Sequence, residues 1–240
     1  MRSDSDVQRS PLPPGQRALQ EFPRFGIAEF AKRPLKSRDI RLEITGALDH
    51  AVVLTATDLA TLPRATITTD FHCAAGWSHM NVTWTGVRFR DMWARFVEPI
   101  RQGGGDTGLI ILRCQDGYRT SLPLADLLAP DVLVADGLND KPLTVEHGAP
   151  VRLVAPAHYG YKSTKHLVGI ELRIDDRDHR PLLPRFLDHP RARVALEERG
   201  QFLPGWLLRW IFRPFIQPLI RKVKAAAEQA GRAAGGDHRN

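Results

Sequence analysis

The chain has 240 residues, a formal charge of +7 and an apolar fraction of 42%, which suits one large globular domain and is too apolar for a disordered chain. Its two cysteines, Cys73 and Cys114, exclude a disulfide framework, and no apolar run approaches the ~18 residues of a bilayer-spanning helix. The positive excess gathers in the C-terminal tail rather than in a motif of nucleic-acid-binding spacing, so no nucleic-acid partner is expected.

Residues 1–20 are polar and proline-rich and predict a flexible N-terminal arm. Their opening, MRSDSDVQRSPLPPG, has neither an apolar leader core nor twin arginines, so a reducing, cytoplasmic setting is the expectation. Arg41 to Gly46 alternates charged and apolar or β-branched residues and ends at a glycine, as a half-buried strand does. Thr57 and Asp58 precede Leu59 and Leu62, which predicts a cap and a short helix ending before Pro63. Ala65 to Cys73 is β-branched and strand-like, and delivers Cys73 to a strand end facing a loop with Gly76.

Arg90 to Phe96 predicts one amphipathic helix, followed by a Gly103-Gly104-Gly105 loop and a buried strand over Leu109–Leu112. Ser121, Pro123 and Asp126 open another short helix, and Asp131 to Val145 predicts a hairpin turning at Asn139-Asp140. Strands follow over Val151–Val154 and Leu167–Ile174. Short strands with brief helices between them argue for an α+β fold with mixed or antiparallel sheets. Arg191 to Arg199 predicts a charged helix. Beyond it, Trp206, Leu207, Trp210, Ile211, Phe215, Leu219 and Ile220 recur at helical spacing, and Pro214 and Pro218 are expected to break the helix into pieces.

Cys73 stands in Asp70-Phe71-His72-Cys73-Ala74-Ala75-Gly76-Trp77-Ser78, with Trp84-Thr85-Gly86-Val87 following. A cysteine after a strand is most often a small buried hydrophobe. Residue types alone also leave open a hydrolase or peroxidase nucleophile with a nearby histidine as base. The full pattern is more specific: His-Cys-x-x-x-Trp-Ser, then Trp-x-Gly-Val, resembles the cysteine loop of the sulfite oxidase family of molybdenum enzymes, especially its short bacterial members. A second stretch, His147-Gly148-Ala149-Pro150-Val151-Arg152-Leu153-Val154-Ala155-Pro156 and then Tyr159-Gly160-Tyr161-Lys162-Ser163-Thr164-Lys165, is similar to that family's pterin-binding segment. The likeness covers roughly residues 22–175.

The resemblance implies a sulfite-oxidase-type molybdopterin-binding fold over residues 21–180; it does not cover residues 181–240, whose own composition and spacing predict a basic, partly helical extension. It implies a molybdenum–molybdopterin cofactor, with Cys73 as metal ligand and catalytic centre; a soft thiolate suits molybdenum. It further implies that Arg152, Lys162, Ser163, Thr164 and Lys165 meet the cofactor phosphate, where an arginine fork is well matched. His147 is placed at the pterin, and Cys114 near the cofactor. Pro23, Arg24 and Phe25, in the loop Phe22-Pro23-Arg24-Phe25-Gly26, fall where the family wraps the pterin. Alternation points His72 away from the Cys73 side.

The activity implied is two-electron oxygen-atom transfer on a small S-oxo or N-oxo substrate, sulfite oxidase-like or sulfoxide reductase-like. The family's substrate tyrosine and arginines have no counterparts that can be placed residue by residue. An electron-transfer partner is implied, with a membrane-bound haem protein as one candidate. The basic, Trp-rich tail suggests peripheral membrane contact. The alternatives are a non-catalytic membrane- or partner-binding module of the same fold and a cofactor-free cysteine hydrolase.

Overall fold

The computed structural model describes residues 12–23, 39–102, 108–174 and 187–236. Two sheets organise them. The first takes β2 (Arg41–Gly46), β3 (Val52–Thr55), β6 (Leu109–Cys114), β7 (Arg119–Leu122) and β11 (Leu167–Arg173) in the order β3-β2-β11-β6-β7, with β2 and β11 parallel and the other pairs antiparallel. The second runs β1-β5-β8-β10, from Arg17–Ala18, Trp77–Arg88, Leu133–Leu138 and Arg152–Val154. On it β4 (Arg64–His72) pairs with β5, and β9 (Lys141–Pro142) with β8. This is the α+β architecture with mixed sheets that the sequence predicts.

Alternation sets the core of the first sheet. Leu42 and Ile44 point inward from β2, while Arg41 and Glu43 face solvent. They pack with Ile110, Leu112, Ile170 and Leu172 of neighbouring strands and with Phe89 and Met92 of helix α2 (Phe89–Met92). The hairpin expected at Asn139-Asp140 forms, with both residues in left-handed conformations.

Several elements differ from the sequence expectations. The helix near residue 58 is α1 (Ala56–Ala60), and its cap is Thr55, not Thr57; the Asp58 carboxylate accepts from the Thr55 backbone N–H at 2.8 Å and its hydroxyl at 2.7 Å. The helical run from residue 89 is not uniform, passing from α2 to a π turn at Trp93–Val97 and a 3-10 turn at Glu98–Ile100, where Pro99 sits. Ser121 belongs to β7, and helix α3 is Leu124–Leu127. Twelve-residue β5 (Trp77–Arg88) has no counterpart among the sequence expectations. Asn81 takes a left-handed φ of 55° beside a bulge, and at Gly86 an added Cβ would lie 2.2 Å from the Val134 carbonyl oxygen.

The arm is not loose where it is described. Arg17–Ala18 runs parallel to Trp77-Ser78, and the Leu19 N–H donates to the Ser78 carbonyl at 2.8 Å. Residues 191–199 are a strap rather than a helix: Ala192 and Glu197 have positive φ, and the strap is pinned by ion pairs of Arg191 with Asp126 and Arg193 with Glu198. In the tail, α4 (Gly205–Phe212) passes through a 3-10 turn at Arg213–Phe215 into α5 (Ile216–Gly236). Pro218 does not interrupt α5, because it lies in the first turn, where the missing N–H breaks no intrahelical bond.

Candidate active site

Cys73 occupies the turn joining β4 to β5. Its N–H donates to the Trp77 carbonyl at 2.8 Å, and its own carbonyl accepts from the Gly76 N–H at 3.0 Å. Gly76 closes the turn at a φ of 106°, open to glycine without strain. Gln16 adds a third hold, its Nε2 donating to the Cys73 carbonyl at 3.1 Å, and its Oε1 accepting from the Ser78 hydroxyl at 3.1 Å. His72 Nδ1 is bonded to that hydroxyl at 2.7 Å, so its ring is committed to the frame beneath the turn. Burial pushes the Cys73 thiol up to about 12, against the pull of the Ala75 N–H and the Arg199 charge.

Arg199 is the main residue that sequence reasoning missed. It is 2% exposed, donates from Nη1 to the Ala74 carbonyl at 2.6 Å and from Nη2 to the Pro14 carbonyl at 2.9 Å, and lies 5.0 Å from the Tyr159 ring centroid. It thus ties the cysteine turn, the N-terminal segment and the Tyr159 loop together. No local signal marked it, because it lies outside both motifs in a segment read as a helix.

The second motif forms a cradle beside this turn. The Gly160 N–H donates to the His72 carbonyl at 2.8 Å, and a Cβ on Gly160 would meet Phe71 at 2.2 Å. Arg152 is fully buried, and its guanidinium donates to the carbonyls of His147 at 2.9 Å and Ser163 at 2.8 Å. It stands 4.8 Å from the Trp84 centroid and 5.7 Å from that of Phe71, with no carboxylate partner among the described residues. Burial lowers its pKa to about 9. Ser163 Oγ accepts from the Ala155 N–H at 3.1 Å, while the buried Thr164 hydroxyl lies beside the Cys114 thiol. Burial holds that thiol well above its usual range.

Lys165 donates to the Glu146 carbonyl at 2.7 Å and is half-buried at the cradle rim. Lys162 has a different environment from the one expected of a phosphate contact. Its ammonium is fully buried and donates to Thr120 Oγ1, the Ser121 carbonyl and Asp188 at 3.2, 3.0 and 3.0 Å, so three partners within the chain match its three protons. Phe22 lies between His147 and His79, at 5.0 and 5.1 Å between centroids, and meets Phe71 at 5.0 Å. The segment containing Pro23 therefore enters the site, whereas Arg24 and Phe25 lie outside the described residues.

A buried cation without an acid, and the buried Trp84 Nε1 without a hydrogen-bond partner among the described residues, fit an anionic, hydrogen-bonding group beside the cysteine turn. No three His, Cys, Asp or Glu side chains converge to hold a metal among the described residues. A metal here would take Cys73 together with donors from outside the chain.

A family model described as the oxidoreductase molybdopterin binding domain matches residues 30–180. The uncharacterized oxidoreductase YuiH of Bacillus subtilis is 35% identical over 166 residues, covering 68% of this chain and 80% of that protein. The protein-methionine-sulfoxide reductase catalytic subunit MsrP of Xanthomonas campestris is 37% identical over 108 residues, covering 41% of this chain and 33% of its own length. Among solved structures, the sulfane dehydrogenase SoxCD of Paracoccus pantotrophus superposes with a TM-score of 0.51 at 24% identity, over 60% of this chain and 40% of that one, a likeness of fold.

Proposed function

Since the chain belongs to the oxidoreductase molybdopterin-binding domain family, we propose that it is a molybdenum-cofactor oxidoreductase carrying out two-electron oxygen-atom transfer on a small S-oxo or N-oxo substrate. The observation that carries this reading is the pairing of a cysteine on a rigid turn with a fully buried, acid-free arginine one loop away. When bound, the cofactor supplies a two-electron centre that exchanges an oxygen atom with substrate. The protein's share is binding and orientation.

Cys73 offers the thiolate, and binding of a cation there supplies the charge that offsets its raised pKa. Arg152 and Lys165 supply positive charge, and Ser163 and Thr164 line the same loop. His147 and the Phe22-Pro23 segment flank the pterin side, and the family likeness of the Phe22-Pro23-Arg24-Phe25-Gly26 sequence makes Arg24 and Phe25 candidate pterin contacts. Cys114 supports the loop through Thr164. Lys162 acts one step back, fixing the loop through Asp188. Residues 187–199 belong to this catalytic unit, because Arg199 holds the cysteine turn.

A separate electron carrier, a haem protein on the reading favoured here, restores the redox state; relatives named as reductase subunits support such a division of labour. Two free cysteines suit a reducing, cytoplasmic compartment. A cysteine hydrolase is disfavoured by a thiol held near 12 and by the His72 hydrogen bond to Ser78 rather than to Cys73. Metal analysis after expression in a molybdenum-cofactor-competent host tests the proposal. About one molybdenum per chain, with pterin fluorescence after oxidation, is expected; a metal-free, pterin-free protein overturns it.

A further inference from the structure

The C-terminal helices have two faces of opposite character. Leu208, Val223 and Ala226 are buried against the body. On the outer side, Phe202 is 79% exposed, Trp210 73%, Trp206 59% and Phe215 53%. Water-facing aromatic groups of this size, clustered on one short stretch, mark an interaction site rather than ordinary surface. Arg213, Arg221, Lys222 and Lys224 fall in the same stretch of chain, all exposed, and no acid occurs from Gly200 to Ala227. The patch lies outside the family-matched residues 30–180, so it is independent of the enzyme reading.

The same helices, through side chains other than the exposed aromatics, cover the cysteine turn. The Arg209 side chain of α4 closes over Gly15, where an added Cβ would lie 2.2 Å from its Cδ. At Gly76, an added Cβ would meet the Gly15 carbonyl oxygen at 3.2 Å and Ile216 Cδ1 at 4.0 Å. Arg209 shares Glu197 with Arg199, at 3.1 and 3.4 Å, and Arg199 holds the Ala74 carbonyl. The patch is therefore carried on the helices whose Arg209 and Ile216 pack at the Cys73 turn.

We propose that this face docks on an anionic lipid bilayer, with Trp206, Trp210, Phe202 and Phe215 in the interfacial layer and the cations on the headgroups. Aromatic side chains favour that layer, and exposed cations without interspersed acids complement an anionic surface. No described helix is long and apolar enough to cross a membrane, so the contact is peripheral. A protein partner or a second copy of this chain would not require anionic lipid.

The full chain is mixed with vesicles of phosphatidylglycerol in phosphatidylcholine, and separately with pure phosphatidylcholine. Cosedimentation and tryptophan emission are read at low and high salt. Binding and a blue shift with the anionic vesicles alone are expected, falling at least tenfold in high salt as the Debye length shrinks from ~30 Å at 0.01 M to ~3 Å at 1 M. Trp206→Ser with Trp210→Ser should lose both signals with an unchanged melting temperature, as both side chains face water. The proposal is overturned by equal binding to neutral vesicles, by no binding, or by undiminished binding of the double variant. A full-length dimer that this variant dissociates, without vesicle binding, assigns the face to a second copy instead.

Discussion

Two regions of the molecule make different uses of burial. Around the five-stranded sheet the interior is a continuous apolar cluster, with Leu42, Ile44, Ile110, Leu112, Ile170 and Leu172 fully or nearly fully buried. Around the cysteine turn, the second motif and the strap over residues 187–199, the chain buries Arg152, Lys162 and Arg199, together with His158, Asp126 and Asp188. Removing a cation from water costs several kcal/mol unless partners replace the hydration. A chain that buries three of them keeps them for what they hold: Arg199 the cysteine turn, Arg152 the His147 and Ser163 carbonyls, and Lys162 the Asp188 segment. The apolar cluster is the frame, and the polar region is the candidate site.

The sharpest break in that comparison is Cys73→Ser. A hydroxyl is a poor replacement for a soft thiolate, so turnover should fall to background while the melting temperature barely moves. A serine variant that retains full activity with molybdenum bound defeats the assignment. The converse is Leu112→Ala in the frame, which should cost about 2–5 kcal/mol of stability through the cavity it leaves. Denaturant unfolding measures that loss, and turnover per folded, loaded molecule should be unchanged.

Arg152→Ala and Lys165→Ala address the cradle. Losing a charge-assisted hydrogen bond costs about 1.5–3 kcal/mol, tenfold or more in affinity, so both variants should purify with reduced cofactor occupancy. Arg152→Ala also strands the carbonyls of His147 and Ser163 and should lower stability, whereas half-buried Lys165 should not. Full occupancy of both variants on dilution removes them from the cofactor contact.

Much of the frame was legible because alternation is a local signal: Arg41–Gly46 and Leu167–Arg173 carry the period of a half-buried strand. The turn at Asn139-Asp140 was legible from its residue types. Cys73 and Arg152 were legible through motifs, since their spacing encodes one loop geometry each. Lys162 kept its place in the motif, yet its bonds to Thr120, Ser121 and Asp188 depend on chain 26 to 42 residues away, which no local pattern carries. Arg199 is the extreme case, reaching Ala74 across 125 residues and Pro14 across 185.

Arg199→Lys tests whether that long reach positions the cysteine turn. An ammonium cannot serve the Ala74 and Pro14 carbonyls with the fork that a guanidinium provides. One lost neutral-acceptor bond costs about 0.5–1.5 kcal/mol. We expect kcat to fall several-fold with KM little changed, and Arg199→Ala to be worse than Arg199→Lys in the same direction. An unaltered kcat in both variants, with only a lower melting temperature, makes Arg199 a structural residue.

The smallest effect concerns the strap that presents Arg199. Burial disfavours the Glu198 charge, but the Arg193 side chain and backbone N–H, with His189 alongside, outweigh it and hold the carboxyl at about 2 rather than the usual 4.5. A depressed folded pKa means that the ionised carboxylate stabilises the fold above the unfolded value, and that this contribution fades as pH falls from about 4.5 toward 2. Arg193 and Arg191 face this group and stay cationic throughout that window, while burial lowers the pKa of the neighbouring His189. Because about a third of the Arg193 side chain is exposed, solvent weakens the pair, and the effect should be modest. Glu198→Gln should therefore be slightly less stable near neutrality and should show a shallower loss of stability below pH 4.5 than the parent chain. Parallel stability curves for the two proteins across that window would mean that Glu198 does not latch the strap.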